Sequence, residues 1–184
     1  MEEFIRLDRK LVHKGKIFEY YQDTVKIPNG NEVIWDFIKH KGAAAVVPVM
    51  EDGKILMVSQ WRNALDRYTL EIPAGGLNLD GMEPTITAAR RELEEETGYK
   101  TEEDLEFLIS IIPVGAYSSE KIDIFVARNL VKSVQNLDDD EFISVQAMSI
   151  DEITKMIYEG AIKDSKTIAA IMSYKDKYIN RNSN

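Results

Sequence analysis

The amino-acid sequence predicts a mixed α/β fold in which helices cover a mixed β-sheet. Short β-branched runs recur along the chain, turn sequences join several of them into hairpins, and helical segments alternate with the strands. A share of 44% apolar residues argues against an intrinsically disordered chain. The length of 184 residues accommodates one domain, or a main domain with a small appendage. We expect a small β layer over residues 1–40 and a main domain over residues 41–184.

Two hairpins are predicted near the N-terminus. The first joins residues 16–27 to residues 32–38 through an Asn-Gly turn at 29–30, and this pair favours two-residue hairpin turns. The second turns at the Asp-Gly pair 52–53. Beyond the first hairpin, β-branched runs predict strands over residues 43–49, 54–60, 70–73, 105–112, 121–127 and 142–148.

A helix is predicted over residues 85–97. Pro84 suits its first turn, and Gly98 can adopt the left-handed conformation that ends a helix. Two more helices are predicted near the C-terminus, over residues 150–158 and 165–178, the second capped by Asp164.

The composition excludes several classes of function. Because 23 Lys+Arg oppose 32 Asp+Glu, the net charge of −9 repels nucleic acid and anionic lipid. The absence of cysteine excludes disulfides, thiol nucleophiles and cysteine zinc sites. His13 and His40 are too few for a histidine-rich metal site. An anionic substrate would therefore need a metal ion to supply positive charge.

The sequence also predicts a cytoplasmic protein. Glu2 and Glu3 occupy positions where a signal peptide carries basic residues. The longest apolar stretch, residues 42–50, is far shorter than the roughly 20 residues that cross a bilayer. We therefore expect no membrane partner.

The predicted helix over residues 85–97 carries a cluster of acids. At about 100° per residue, Glu92, Glu95 and Glu96 share an arc of about 100°. A divalent cation between them would convert their repulsion into coordination, and carboxylate oxygens suit Mg²⁺ or Mn²⁺. The alternative is a solvated helix face. The glycine-rich segment 74–76 before the helix, and apolar residues such as Leu93 that orient it, favour a site.

Residues 76–99 resemble the Nudix box, which reads Gly, five residues, Glu, seven residues, Arg-Glu-aliphatic, any residue, Glu-Glu, any residue, Gly, aliphatic. The matching residues here are Gly76, Glu83, Arg91, Glu92, Leu93, Glu95, Glu96 and Gly98. One residue more than the pattern allows separates Gly76 from Glu83, and Tyr99 replaces the closing aliphatic residue. So many fixed positions make chance agreement very rare.

The resemblance implies a Nudix-type α/β/α sandwich that uses Mg²⁺, with Mn²⁺ as a second option, to hydrolyse a nucleoside diphosphate linked to another group. It implies that Glu92 and Glu96 are the principal metal ligands and that the Ala74 carbonyl is a main-chain ligand. Glu95 also faces the metal and counts among the catalytic candidates. Structural roles in the box are implied for Glu83, Arg91, Gly76 and Gly98. Glu83 and Arg91 would pair and hold the helix against a loop that folds back.

Residues 15–171 resemble the ADP-ribose pyrophosphatase branch of this family. Residues 71–75 resemble the branch's entry into the box. Residues 60–62, Gln-Trp-Arg, match a Gln-aromatic-Arg segment of the branch, which implies that Arg62 contacts the diphosphate. The alternative for Arg62 is a surface arginine at the end of a strand.

Residues 113–120 resemble the branch's Ser-Pro-Gly-Tyr-Ser-Ser-Glu loop, which marks ADP-ribose specificity. The match implies that Glu120 contacts a ribose. Val114 stands where the branch has proline, and Ala116 is an insertion.

A late acidic loop at residues 138–141 fits the position where the family carries its catalytic base or an extra metal ligand. Glu141 is the first choice and Asp139 the second, with Asp140 left open. A solvated acidic turn is the alternative.

In the N-terminal layer, the resemblance implies that Trp35 stacks on adenine, with Phe18 next to the place of a partner aromatic. A tryptophan in a half-buried strand can equally belong to a core or an interface. The branch uses this layer in a dimer interface, so a homodimer is implied.

The function implied is Mg²⁺-dependent hydrolysis of ADP-ribose to AMP and ribose 5-phosphate. One alternative is hydrolysis of another nucleoside diphosphate sugar, such as GDP-mannose. A second alternative is a Nudix-fold sensor that binds a nucleotide without cleaving it, although such sensors usually lose acids of the box.

Overall fold

The computed structural model describes residues 3–78 and 82–181. The chain forms two compact units. The first comprises the residues up to Gly42 together with Ile112–Lys121. The second comprises Ala43–Ile111 and the chain from Ile122 onward.

The first unit contains a three-stranded antiparallel sheet. Its strands, in spatial order, are β1 (Ile5–Lys14), β2 (Phe18–Lys26) and β3 (Glu32–His40). The predicted Asn-Gly turn joins β2 to β3, and Gly30 adopts a φ of +89° there. The strand β1 lies before the first predicted strand. It is held to β2 by Arg9, whose guanidinium donates to both carboxylate oxygens of Asp23 at 2.7 and 2.6 Å.

The segment Ile112–Lys121 is anchored to β3 within this unit. The Ile38 N–H donates to the Tyr117 carbonyl at 2.7 Å, and the Ser119 N–H donates to the Ile38 carbonyl at 3.0 Å. The His40 N–H donates to the Ser119 hydroxyl at 3.0 Å. This segment therefore satisfies backbone groups on the open edge of β3.

The second unit carries the remaining strands. They are β4 (Ala43–Pro48), β5 (Ile55–Arg62), β6 (Arg67–Glu71), β7 (Ala74–Gly76), β8 (Tyr99–Lys100), β9 (Glu106–Ile111), β10 (Ile122–Ala127), β11 (Val131–Lys132) and β12 (Ile143–Met148). One sheet has the order β7-β4-β10-β9, with β4 and β10 parallel and the other pairs antiparallel. A second, antiparallel sheet has the order β12-β5-β6, and β8 pairs with β11. The predicted mixed sheet is confirmed.

Three α-helices complete the second unit within the described residues. They are α1 (Thr85–Thr97), α2 (Ile150–Tyr158) and α3 (Ser165–Tyr174), and a π-helical turn, Lys175–Asn180, continues α3. The predicted bounds of α1 and α2 are confirmed. Gly98 ends α1 with a φ of +69°, and the Asp164 side chain caps α3 by accepting from the Thr167 N–H.

The core has two layers because β4 is buried on both faces. Ala45 and Val47 pack into the cluster that includes Ile153 of α2 and Ile171 of α3. The alternate residues, such as Val46, pack into the cluster formed by α1. Helices thus cover both faces of this sheet, and the predicted α/β/α fold class is confirmed.

Among the residues that the structure describes, no helix combines the length and the apolar character needed to span a membrane.

Candidate active site

The orientation of α1 is set by its apolar stripe. Ala88, Ala89 and Leu93 are buried in the cluster with β4. Glu92 and Glu96 are buried as well, at 8% and 3% exposure. Two ionisable side chains on one helix are thus taken out of water together, which is costly unless cations or donors offset their charge.

The short strand β7 lies directly against these two carboxylates. The Ala74 N–H donates to Glu96 Oε2 at 3.0 Å. A Cβ added to Gly75 would lie 2.0 Å from Glu92 Oε1, whereas one added to Gly76 would meet nothing within 4 Å. Only glycine at position 75 therefore leaves room for the Glu92 carboxylate beside the backbone.

The two carboxyls are hard to ionise in this environment. Burial raises the pKa of Glu96 to about 8, and the neighbouring charge of Glu92 adds to the rise. Burial also raises the pKa of Glu92 to about 7, although the Arg91 guanidinium opposes the rise. Raised pKa values on adjacent buried carboxyls are typical of sites that a bound charge completes.

These residues fit a hard divalent cation. Mg²⁺ and Mn²⁺ prefer carboxylate and carbonyl oxygens, and the site offers two buried carboxylates beside the Ala74–Gly76 backbone. A bound cation would favour the ionised form of both carboxyls, which burial disfavours. Within residues 3–78 and 82–181, no cluster of three or more His, Asp or Glu side chains is already assembled around one point.

Arg91 links the helix to the loop before it. Its Nε donates to Glu83 Oε1 and its Nη2 to Glu83 Oε2, both at 3.2 Å. Its Nη1 donates to Glu92 Oε1 at 2.5 Å and to Glu95 Oε2 at 2.8 Å. The Gly76 carbonyl accepts from Nη2 as well, at 3.1 Å. Arg91 therefore joins the three acids to the end of β7.

The loop folds back, as the Glu83–Arg91 pair requires. The Asn78 N–H donates to Glu83 Oε2 at 2.8 Å. The extra residue that separates Gly76 from Glu83 falls in a stretch whose middle, residues 79–81, lies outside the described residues.

The acidic loop brings one candidate base near the helix. The charge of Glu141 raises the pKa of both Glu92 and Glu96, so Glu141 lies within electrostatic range of that pair. Glu141 is half-buried, whereas Asp139 and Asp140 are exposed.

Arg62 lies in a buried ionic network. Its Nε and Nη2 donate to the two carboxylate oxygens of Glu71 at 2.8 and 2.6 Å. Lys166 Nζ also donates to Glu71, and the Thr69 hydroxyl donates to it at 2.6 Å. Burial opposes ionisation of Glu71, yet Arg62 and Lys166 together lower its pKa to about 2.

Gly75, Glu71 and Lys166 are absent from the sequence-derived candidates. Gly75 lies in the glycine-rich segment that the sequence analysis noted. The close approach of Glu92, which requires a glycine there, is visible only in the folded structure. Glu71 and Lys166 stand 95 positions apart in the chain, and no local pattern predicts such a pair.

The depressed pKa of Glu71 predicts an acid-dependent stability. Its ionised form is favoured in the folded chain, so its contribution, roughly 3 kcal/mol, is complete above the unfolded pKa of about 4.5. It is lost as the pH falls from there towards 2. Urea unfolding of wild type and Glu71→Gln should give a difference that is constant above about pH 5 and shrinks below it.

The control for this experiment is Glu159→Gln, which removes an exposed carboxylate paired with Lys155 at 3.8 Å. The difference in unfolding free energy between this variant and the wild type should be the same at every pH measured. A Glu71→Gln difference that does not change between pH 6 and pH 3 would contradict the assignment.

The first unit contains a cavity of about 640 Å³. Its lining residues are Tyr20, Trp35, Asp36, Ile38, Ala116 and Tyr117. The Trp35 ring is half-exposed, at 49%, and the Tyr20 hydroxyl donates to Asp36 Oδ1 at 2.6 Å. Aromatic rings and one carboxylate suit a flat ring system that carries hydrogen-bond donors. Phe18 is outside the lining set, in which Tyr20 and Tyr117 are the other aromatic residues. The Trp35 ring lies beside that of Phe4, with 6.0 Å between the ring centroids.

Glu120 lies in the same unit, next to His40. The two side chains approach to 3.9 Å between His40 Nδ1 and Glu120 Oε1. His40 Nδ1 also accepts from the Gly42 N–H at 3.1 Å. The Glu120 N–H donates to the Ser118 hydroxyl at 3.1 Å.

Comparison with known proteins gives consistent matches. Residues 39–171 match the model of the NUDIX domain. A methanol dehydrogenase activator of Bacillus methanolicus is 39% identical over 162 residues, which cover 87% of this chain and 86% of that protein. An ADP-ribose pyrophosphatase of Bacillus subtilis strain 168 is 37% identical over 165 residues, covering 89% and 88%.

A solved structure shares the fold. The crystal structure of an ADP compounds hydrolase superposes with a TM-score of 0.85, covers 98% of this chain and 97% of its own, and is 19% identical. The NUDIX match spans most of the chain and contains the glutamates of α1 with the backbone of β7. The chain therefore belongs to the Nudix hydrolase family and is a pyrophosphatase that acts on phosphoanhydride bonds.

Proposed function

We propose that this pyrophosphatase hydrolyses ADP-ribose to AMP and ribose 5-phosphate with a divalent cation, Mg²⁺ first. The observation that carries the proposal is the buried Glu92–Glu96 pair against the β7 backbone. The name of the Bacillus subtilis relative, 37% identical over 89% of this chain, supports ADP-ribose as the substrate.

Glu92 and Glu96 would hold the cation, with the Ala74 carbonyl as a third oxygen. When bound, the cation supplies positive charge that offsets the diphosphate and makes the attacking water more acidic. Arg91 holds Glu92 and Glu95 in place through its contacts at 2.5 and 2.8 Å. Positioning of this kind accounts for much of the catalysis in phosphoryl transfer.

Glu141 would accept the proton of the attacking water. It is the loop acid whose charge acts on both Glu92 and Glu96. Proximity to two other carboxylates and to a cation is the setting in which a carboxylate base is tuned to its task. Asp139 is the second candidate for this role.

Arg62, in the second unit, would bind a diphosphate oxygen, and the cavity of the first unit would bind an adenine ring. Nε and Nη2 of Arg62 are engaged by Glu71, which fixes the plane of the guanidinium. In the cavity, Trp35 would stack on the adenine ring, and Glu120 would contact a ribose hydroxyl.

The first test is turnover on a substrate panel. Phosphate release, coupled to a phosphatase, is measured with ADP-ribose, GDP-mannose, UDP-glucose, NADH and diadenosine polyphosphates, with and without Mg²⁺. The proposal expects selective, Mg²⁺-dependent cleavage of ADP-ribose. Preference for GDP-mannose would show that the substrate is another sugar nucleotide. Binding without cleavage would favour the sensor alternative.

Trp35→Ala tests the adenine subsite. Loss of one base-stacking partner should raise KM for ADP-ribose about tenfold, with a smaller change in kcat, because the ring binds ground state and transition state alike. Tyr158→Ala is the matched control, since Tyr158 is an exposed aromatic residue of α2 outside the cavity lining. Equal KM values for the two variants would refute the stacking role.

The sheet of the first unit would also form a homodimer interface. It exposes a set of large apolar side chains, including Phe4, Ile5, Leu7, Leu11, Val12 and Ile34. Such a concentration is typical of surfaces that associate. Light scattering at micromolar concentration should give twice the chain mass, and Leu11→Asp should give a monomer. Val134→Asp, at an exposed apolar residue of the second unit, should leave the dimer intact.

A second candidate function is activation of a methanol dehydrogenase. The Bacillus methanolicus relative named a methanol dehydrogenase activator is 39% identical over 87% of this chain. The test adds this protein to a methanol dehydrogenase and measures its rate, with Glu96→Gln as the inactive comparison. A rate increase that the variant abolishes would favour this candidate.

A further inference from the structure

Lys166 is buried in the second unit with an exposure of 8%. Its Nζ donates to Glu71 Oε2 and, at 3.0 Å, to Asp164 Oδ2. Glu71 is shared, because Arg62 donates to both of its oxygens. A buried lysine is expensive to keep charged, so its two carboxylate contacts call for an explanation.

The charges of this cluster explain what Lys166 adds. Arg62 and Glu71 alone would form a neutral pair, and an arginine neutralised by its own carboxylate attracts an anion weakly. Lys166 is a second cation on the same carboxylate. Arg62, Lys166 and Glu71 together carry a charge of +1, and Asp164, the cap of α3, brings the total of the four residues to 0.

The cluster is close in the chain to the backbone that contacts the acids of α1. Glu71 ends β6, and three residues later Ala74 begins β7 and donates its N–H to Glu96 Oε2 at 3.0 Å. A diphosphate brought to that helix would meet the field of this cluster.

We propose that Lys166 is a positioning residue for diphosphate binding: by donating to the Glu71 carboxylate, it reduces the negative charge that this carboxylate sets against Arg62. This inference rests on the proposed function, in which Arg62 binds the diphosphate. The ligand in this proposal is a condensed phosphate anion, whichever nucleoside or sugar the anion carries.

A purely structural role is the competing explanation. Lys166 lies in the first turn of α3, where Asp164 accepts from the N–H and the hydroxyl of Thr167 at 2.9 and 2.6 Å. The Thr167 hydroxyl also accepts from the Ile72 N–H at 3.0 Å. Loss of Lys166 could thus loosen the contact between α3 and the end of β6, and the experiment has to separate charge from structure.

The test measures the Kd of methylenediphosphonate, a diphosphate analogue that cannot be hydrolysed, by calorimetry in the presence of Mg²⁺. Lys166→Met lowers the charge of the four-residue cluster from 0 to −1 and should weaken binding about tenfold. Lys166→Arg keeps the charge and should bind within about threefold of wild type. The double variant Lys166→Met with Glu71→Gln returns the charge to 0, and we expect it to recover most of the lost affinity.

Lys175→Met is the matched control, because Lys175 also pairs with an acid, Asp151, at 2.9 Å. Its Kd should equal that of wild type. Melting temperatures of all variants are recorded, and binding is measured well below the lowest. A double variant that binds no better than Lys166→Met, or a Lys166→Met that binds as well as wild type, would overturn the proposal.

Turnover of ADP-ribose by the wild type is measured in parallel. Its absence would defeat the proposed function, while the binding series still tests Lys166. Normal turnover with an unchanged Kd in Lys166→Met would defeat only the role of Lys166.

Discussion

Glu96→Gln is expected to abolish turnover while making the metal-free protein more stable at neutral and mildly basic pH. Glutamine keeps an acceptor for the Ala74 N–H, which donates to Glu96 at 3.0 Å. It removes the charge that a cation needs. Because loss of a metal ligand costs several kcal/mol in the transition state, the proposed role of Glu96 predicts that kcat falls roughly a thousandfold.

The gain in stability follows from the raised pKa. Burial lifts the pKa of Glu96 from 4.5 to about 8, so the folded chain disfavours its ionised form. The stability that the protonated carboxyl contributes is complete below pH 4.5 and is lost as the pH rises towards 8. Glutamine, which does not titrate, escapes this loss. The melting temperature of the variant should therefore exceed that of the wild type at pH 8 and match it near pH 4.5.

Thermal melts with and without Mg²⁺ measure both effects. Mg²⁺ should raise the melting temperature of the wild type, because it binds only the folded site, and should leave the variant unchanged. Glu94→Gln is the matched control on the same helix, since Glu94 accepts from Ser133 and faces away from the pair. A Glu96→Gln protein that retains turnover would refute the assignment of this residue as a ligand.

The second large effect on turnover is expected for Gly75→Ala. The new Cβ would stand 2.0 Å from Glu92 Oε1, a distance that no real contact permits. The end of a flexible side chain gives way more easily than backbone, so Glu92 should swing aside while the fold stays intact. A displaced ligand of about 1 Å or more can cost roughly a hundredfold in rate.

Gly76→Ala provides the comparison, because a Cβ at position 76 meets no atom within 4 Å. The two variants differ by one position on β7. We expect a turnover near wild type for Gly76→Ala, a hundredfold loss for Gly75→Ala, and melting temperatures within a few degrees of each other. Equal turnover in the two variants would show that Glu92 has no fixed place in the reaction.

Local sequence signals predicted much of the second unit. Pro84 and Gly98 bound α1 at the residues where the structure begins and ends it. Asp164 predicted the start of α3, whose end differs because a π-helical turn takes over at Lys175. These signals act within one helical turn, so the sequence carries them in full.

Long-range contacts account for what the sequence left out. The strand β1 has no clean alternation of apolar and polar residues, and its ladder with β2 supplies the structure. The cavity beside Trp35 brings together residues of β2, β3 and the segment after β9. The Glu71–Lys166 contact joins residues from two distant parts of the chain. Such pairings depend on the tertiary fold, which no local pattern encodes.

The segment Ile112–Lys121 leaves the second unit and returns to it at a single point. Ile111 and Ile122, its two flanking residues, are directly paired on neighbouring strands β9 and β10. The ladder holds both ends of the segment at a fixed separation. The pairing of β9 with β10, and not the sequence of the segment, therefore brings the two ends of this loop together. A replacement segment joined at these two isoleucines would therefore leave the pairing of β9 with β10 unchanged.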